Sequence, residues 1–236
     1  MDGQSTVEHV KGQPYLQDIL LICCVGVFSA LPYVAGLGFY SDDWYYLEML
    51  SGVGDTSALT LLNPEVAPNT AMRPVHVLFL APLFEVFGAS PLPYHLTTLA
   101  IHLAGTVCFY LILRQLGLAR VLCISAPLVY FLLPHYSAAR FWVSTTFQAM
   151  VSMAFYFLSL YADLRAASTG QWRRGRWKVF GLVGLAGGTL AYEVFIPLFF
   201  LNPLIVWVYV HWWCNSEKKE ANRFREKLLL YGSNLV

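Results

Sequence analysis

Charge is what this chain lacks. Only 12% of its 236 residues are Asp, Glu, Lys or Arg, about half the density of an ordinary soluble domain. So thin a charged shell cannot coat a globule of this length, which excludes a soluble domain and makes lipid the solvent. A basic excess is lacking too. The formal net charge is +1, too little to displace the counterions of a nucleic acid, so no nucleic-acid partner is expected. Cysteines are few and unpatterned. Cys23, Cys24, Cys108, Cys123 and Cys214 lie in or at the end of apolar stretches, without metal-site or disulfide spacing, and read as small packing hydrophobes.

What is present instead is apolar length: 57% of residues are hydrophobic and 16% aromatic. No Asp, Glu, Lys or Arg interrupts residues 19–41, 86–113, 121–139, 141–162, 179–192 or 194–216. A helix needs ~20 mostly apolar residues to cross the hydrocarbon core. A secretory signal peptide imitates the first run, with Lys11 as its basic flank, but not the others. The expected fold class is therefore all-α, a polytopic transmembrane helical bundle of six or seven spans. These fall near residues 18–40, 73–87, 94–113, 121–134 and 142–161, followed by 179–213. The last run is too long for one span at ~1.5 Å per residue, and Pro197 and Pro203 are expected to divide it. Residues 1–17 form a cytoplasmic tail, 18–213 the transmembrane domain, and 214–236 a charged C-terminal tail. The chain is expected to be an integral multi-pass protein of a bacterial inner (plasma) membrane.

The loop 41–72 carries Asp42, Asp43, Glu48, Asp55 and Glu65, with no Lys or Arg before Arg73. The positive-inside rule assigns it to the outer face. Within it, Asp43 to Leu50 mixes aromatics and acids as an amphipathic helix in the membrane interface does. The connection 165–178 holds Arg165, Arg173, Arg174, Arg176 and Lys178. Four intervening spans would put this basic connection on the same side as the acidic loop, against the charge rule. Either a short run (73–87 or 121–134) is re-entrant, or the arginines face outward.

A few polar residues in this apolar chain could carry chemistry. Asp42-Asp43 follows the first span, and adjacent carboxylates at a lipid boundary suit a divalent cation, an acceptor hydroxyl needing a general base, or a basic partner. A solvated loop start is the alternative. Arg73, at the re-entry to the membrane, suits a lipid phosphate or diphosphate, with headgroup snorkelling as the alternative. Arg140 is a similar phosphate candidate. His76, His95, His102 and His135 lie near helix ends or on apolar faces, where a histidine is usually a hydrogen-bonded packing residue. Glu193 is the sole charge between Val179 and Ser216, and an intramembrane carboxylate marks a functional site or a buried pair, with Arg73 a candidate partner.

Several short segments occur in an order that resembles the N-terminal half of a GT-C superfamily membrane glycosyltransferase, of the protein-O-mannosyltransferase, ArnT and TMTC-like kind. They are Gly38-Phe39-Tyr40-Ser41-Asp42-Asp43-Trp44, then Arg73-Pro74-Val75-His76, then Phe87-Gly88 with Tyr94-His95 and His102. Arg114-Gln115-Leu116-Gly117, Pro134-His135 with Phe141-Trp142-Val143, and Ala191-Tyr192-Glu193 follow. The resemblance covers about residues 16–205 and implies a polyprenyl-phosphate-sugar donor with transfer on the extracytoplasmic side. It casts Asp42 as the carboxylate that positions or deprotonates the acceptor, Asp43 as its support, and Arg73 as the neutraliser of the departing phosphate. Glu193 falls on the family's late-helix acid, where many members have Lys-Glu and this chain has Tyr192. Family members continue through further spans, which implies a truncated product, a split enzyme with a partner subunit supplying the C-terminal half, or a reduced relative.

Three functions follow as expectations: a lipid-linked-sugar glycosyltransferase, a non-catalytic scaffold or partner subunit in envelope-glycan assembly, and a small transporter built on the broken helix at Glu193. The transporter is disfavoured by the absence of similarity between the halves and by the long acidic loop. No cofactor is demanded beyond the optional divalent cation at Asp42 and Asp43; membrane lipids are the expected surroundings.

Overall fold

The computed structural model describes residues 15–66, 68–133, 141–168 and 171–214. Arg140 and His135, most of the N-terminal tail and the charged segment after Cys214 lie outside the described residues. All regular structure described is helical: α1 (Tyr15–Val34), α2 (Asp42–Gly52), α3 (Ala58–Leu61), α4 (Pro68–Ala71), α5 (Pro74–Phe87), α6 (Pro91–Gln115), α7 (Arg120–Leu132), α8 (Val143–Ser168), α9 (Gln171–Ala191) and α10 (Glu193–His211). Four of them, α1, α6, α8 and α10, are long and apolar enough to cross a membrane, while α5 and α7 are shorter apolar helices. Phe28, Val121 and Phe200 are each at least 74% exposed on these helices. Such bare large hydrophobes suit acyl chains rather than water.

Proline sets several of the helix ends. Pro74 and Pro91 stand in the first turns of α5 and α6, where the missing N–H has no intrahelical partner to lose. The run 179–213 does divide, but at Tyr192, whose backbone is extended (φ −160°, ψ 114°). That is five residues ahead of Pro197, not at the prolines themselves. The reason is local: Pro197 cannot donate to the carbonyl of Glu193 and its ring crowds that carbonyl, so the preceding helix ends upstream and a short 3₁₀ turn, Glu193–Phe195, starts the next. A π-turn, Thr146–Met150, interrupts α8.

The acidic loop after α1 and most of the basic side chains lie toward opposite ends of the bundle, with Asp18 and Asp163 paired among the cations and Arg73 among the acids. At one end the Asp18 carboxylate accepts from Arg120 (2.7 Å) and from the Tyr110 hydroxyl (2.8 Å). Lys178 pairs there with Asp163 at 2.6 Å, and Gln115 of α6 donates to Ser168 of α8 and Tyr209 of α10 at 3.0 Å each. At the other end, Phe39, Tyr46, Leu47, Leu50, Leu61, Val77, Leu80, Tyr94 and Phe147 form one core. The buried side of α2 is part of that core, so this helix lies on the bundle, with Trp44 and Tyr45 half exposed on its outer side.

This arrangement removes the topological conflict in the sequence. Both ends of α5 lie at the acidic end. Arg73 before it meets Glu193. After it, Tyr94 donates to the carbonyl of Gly88 at 2.7 Å, and its ring packs on Phe39 at 5.2 Å. At 14 residues, about 21 Å long, α5 stays within one layer. The described helices that then run lengthwise through the bundle are α1, α6, α7, α8, α9 and α10. The loop 41–72 and the basic connection 165–178 consequently sit at opposite ends.

Glycine makes one of these passages close. A Cβ on Gly184 would stand 2.8 Å from the Phe155 carbonyl oxygen and 2.9 Å from the Ser159 nitrogen. Only a residue without a side chain lets α9 approach α8 this far. Ser152 and Ser159 of α8 then donate to the carbonyls of Gly188 (2.7 Å) and Gly181 (3.0 Å).

Candidate active site at the acidic end

A cavity of about 550 Å³ opens at the acidic end, lined by Asp42, Tyr45, Tyr46, Met72, Arg73 and Glu193. Three segments remote in sequence build it: the first turn of α2, the residue preceding α5, and the residue opening α10. Arg73 precedes Pro74 with a non-helical backbone (φ −131°, ψ 66°), which turns its side chain away from the helix and across the cavity wall.

The guanidinium is held on three sides. Nη2 donates to Glu193 Oε1 at 3.0 Å and Nε to Oε2 at 3.4 Å. Nη1 donates to Gln148 Oε1 at 2.9 Å, and the plane lies over the Tyr192 ring, 4.7 Å from its centroid. Extended Tyr192 thus does two things: it supplies this aromatic face and it aims Glu193 at Arg73. The hydrogen bonds from Arg73 to Glu193 push the arginine's pKa further above its usual range, so the cation is permanent. Arg73 remains 26% exposed and Glu193 56% exposed, so the pair is accessible from the cavity.

Gln148 organises the wall behind Arg73. Its amide donates to the Tyr46 hydroxyl at 3.2 Å and lies 3.4 Å from His76 Nδ1. Burial pushes the Tyr46 pKa up, so the phenol stays neutral and available as a donor at the cavity edge. His76 is fully buried, edge-on to Tyr46 at 4.6 Å.

The two adjacent aspartates have different surroundings. Asp42 is exposed and lines the cavity, accepting from its neighbour Ser41 at 3.2 Å. Asp43 is 3% exposed. It accepts from the backbone N–H groups of Ser144 (2.7 Å), Tyr40 (3.0 Å) and Val143 (3.2 Å). A carboxylate so engaged satisfies the first orphan donors of α8 and pins the loop to that helix. Its oxygens are committed to backbone, which leaves Asp42 as the carboxylate of the pair that faces the cavity. Among the described residues, no group of three or more His, Cys, Asp or Glu is arranged to hold a metal ion.

His95 and His102 lie elsewhere. Both border a cavity of about 20 Å³ with Ala30, Val34, Leu37, Thr98, Leu99, Phe141 and Thr146, room for about one water. His95 Nε2 sits 2.9 Å from the Gly38 carbonyl oxygen. His102 stacks on Phe131 at 4.4 Å. The structure therefore brings Asp42, Arg73 and Glu193 to one cavity and keeps Asp43, His95 and His102 out of it. Sequence reasoning missed Gln148 and Tyr46, and gave Tyr192 no part of its own. The available signal for Gln148 was a lone amide in the uncharged run 141–162.

Compared with known proteins, the chain matches no family model, no curated protein and no solved structure.

Proposed function

We propose that the acidic-end cavity transfers a sugar from a polyprenyl-phosphate donor to an acceptor hydroxyl, on a GT-C-like membrane bundle. The observation that carries the reading is the convergence of Asp42, Arg73 and Glu193 on one cavity of about 550 Å³. In this reaction the acceptor oxygen attacks the anomeric carbon, the bond to the phosphate oxygen breaks with its electron pair, and the acceptor proton goes to a base. Asp42 is the carboxylate placed to take that proton. Arg73, forked and permanently charged, is placed to stabilise the charge that builds on the leaving phosphate. Gln148 and Tyr192 fix the guanidinium plane, and Glu193 occupies the fork until phosphate arrives. Asp43 positions the Asp42 turn from behind.

The separation of charge supports the orientation. With the basic end cytoplasmic by the positive-inside rule, the six passages along the bundle become six spans and the cavity opens on the extracytoplasmic face. A lipid donor reaches it laterally and a hydrophilic acceptor from the aqueous side. A divalent cation at Asp42 would have to recruit further ligands, since Asp43 is occupied by backbone.

A second reading rests on one observation: the Arg73 fork is already satisfied by Glu193, as in a non-catalytic scaffold of envelope-glycan assembly whose charges have become internal. Sugar incorporation from radiolabelled polyprenyl-phosphate donors by the purified chain separates the two. Transfer that falls at least a hundredfold in Asp42→Asn supports the enzyme; wild type and Asp42→Asn equally inert with every donor supports the scaffold.

A further inference from the structure

The geometry assigns a second ligand site at the opposite, basic end: a pocket for the headgroup of an anionic phospholipid. A cavity of about 400 Å³ lies there among Tyr15, Leu111, Gln115, Tyr161 and Arg165. These residues come from α1, α6 and α8, so the cavity is a gap between helices rather than a dent in a loop. It offers a guanidinium and two phenols against one apolar wall, a charged donor and two hydroxyls that suit a phosphodiester, while the Gln115 amide is committed to its protein partners. Arg165 is held in place on two sides. It stacks over Trp177 at 5.3 Å, and its Nη1 reaches Gln115 Oε1 at 3.4 Å. Gln115 is fixed in turn by Ser168 and Tyr209. Beside it, Arg114 lies over the Tyr15 ring at 4.8 Å.

Two features point to a lipid rather than to a soluble anion. The first is depth. Tyr15, Tyr161 and Trp177 cluster around the cavity, with Tyr161 and Trp177 5.8 Å apart, and such aromatics mark the headgroup level of a bilayer. The second is the neighbourhood: on the same helix as Tyr15, Leu16 is 69% exposed and Leu20 53% exposed, an apolar surface for acyl chains on α1. The basic end also carries Arg174, Arg176 and Lys178 on α9, a positive field that attracts anionic lipid of the cytoplasmic leaflet. This site is independent of the cavity at Arg73 and of any activity there.

Native mass spectrometry of the full chain in neutral detergent, with equimolar phosphatidylglycerol and phosphatidylcholine, tests the assignment. Retention of phosphatidylglycerol at least fivefold over phosphatidylcholine is expected. Arg165→Gln should bring that preference below twofold, while Arg176→Gln, on the same rim but outside the cavity, should keep it. Millimolar inorganic phosphate should not displace the lipid. Equal retention of the two lipids by the wild type overturns the site, as does equal loss in both variants, which would mean diffuse surface charge. Displacement by inorganic phosphate alone would make it a free-anion site and overturn the lipid assignment. Should Arg165→Gln fail to fold, the wild-type selectivity and the phosphate competition decide by themselves.

Discussion

Asp42 and Asp43 are neighbours in the chain and belong to different machines: one faces the cavity, the other lies beneath it holding three backbone N–H groups of two separate segments. The division gives opposite expectations for the two carboxylates. Asp43→Ala leaves buried donors unpaired and should cost about 3 kcal/mol of stability, while Asp42→Asn should stay within about 0.5 kcal/mol. Thermal unfolding of the purified variants in detergent measures both. Equal effects would contradict the division.

The Arg73–Glu193 pair is too exposed to be a stability device. With Glu193 more than half exposed, Glu193→Gln should cost under about 1 kcal/mol. Freed of its internal carboxylate, Arg73 should instead bind phosphate better, so polyprenyl phosphate should bind Glu193→Gln several-fold tighter than wild type in a scintillation-proximity titration. Weaker binding would mean that Glu193 holds the site open rather than occupying it.

Close helix approach makes a contrast between two glycines. Gly184→Val forces a side chain against the Phe155 carbonyl and should destabilise the α8–α9 pair by about 2–3 kcal/mol. A Cβ on Gly175, in the same helix, meets nothing within 4 Å, and Gly175→Ala should stabilise by about 0.5–1 kcal/mol through helix propensity. Thermal melts of the pair check the sign of each.

Topology can be read by labelling. In a cysteine-free background, single cysteines at Gly54 and Ser90 flank α5 and should react with an impermeant maleimide from the same side of the membrane. A cysteine at Gly175 should react only from the other side. Labelling of Gly54→Cys and Gly175→Cys from one side, with Ser90→Cys reacting from the other, would show α5 crossing the bilayer.

Acid should loosen the outer loop through Asp55. Hydrogen bonds from Thr60 and Ser57 hold its carboxyl below the usual range. A depressed folded pKa means that its contribution is complete above the unfolded value near ~4 and is lost as pH falls through the folded value. Amide exchange over residues 57–61 should accelerate, relative to the intrinsic rate, on acidification below pH ~4, and Asp55→Asn should abolish that dependence.

The helical, membrane-type character of the fold was legible because it follows from uncharged length, which needs no tertiary information. The start of α5 was legible at Pro74, whereas α6 begins at Pro91, three residues ahead of the expected start at Tyr94, because proline is accommodated in a first helical turn. The break at Tyr192 was displaced from Pro197 because proline disrupts the turn before it. The course of α5 could not be read, since a 14-residue apolar run suits a short span and an in-plane helix equally. At the site, chain proximity misled. Asp42-Asp43 read as a pair because sequence records adjacency and not facing, while the partnership of Arg73 with Glu193, 120 residues apart, was legible only as two lone charges in need of a counter-ion. His95 and His102 share a helix face with functional-looking spacing, yet they serve packing against Gly38 and Phe131.

Docking of a phosphate-bearing lipid at Arg73 is the step on which the proposed activity depends, and photo-crosslinking tests it most directly. A diazirine-bearing polyprenyl phosphate, irradiated with the purified chain and mapped by peptide mass spectrometry, should modify Tyr45 and Met72. Unlabelled polyprenyl phosphate should compete those adducts away, and Arg73→Gln should lose them. Adducts spread over the exposed belt at Phe28, Val121 and Phe200, indifferent to competitor and to Arg73, would contradict lipid docking at this cavity.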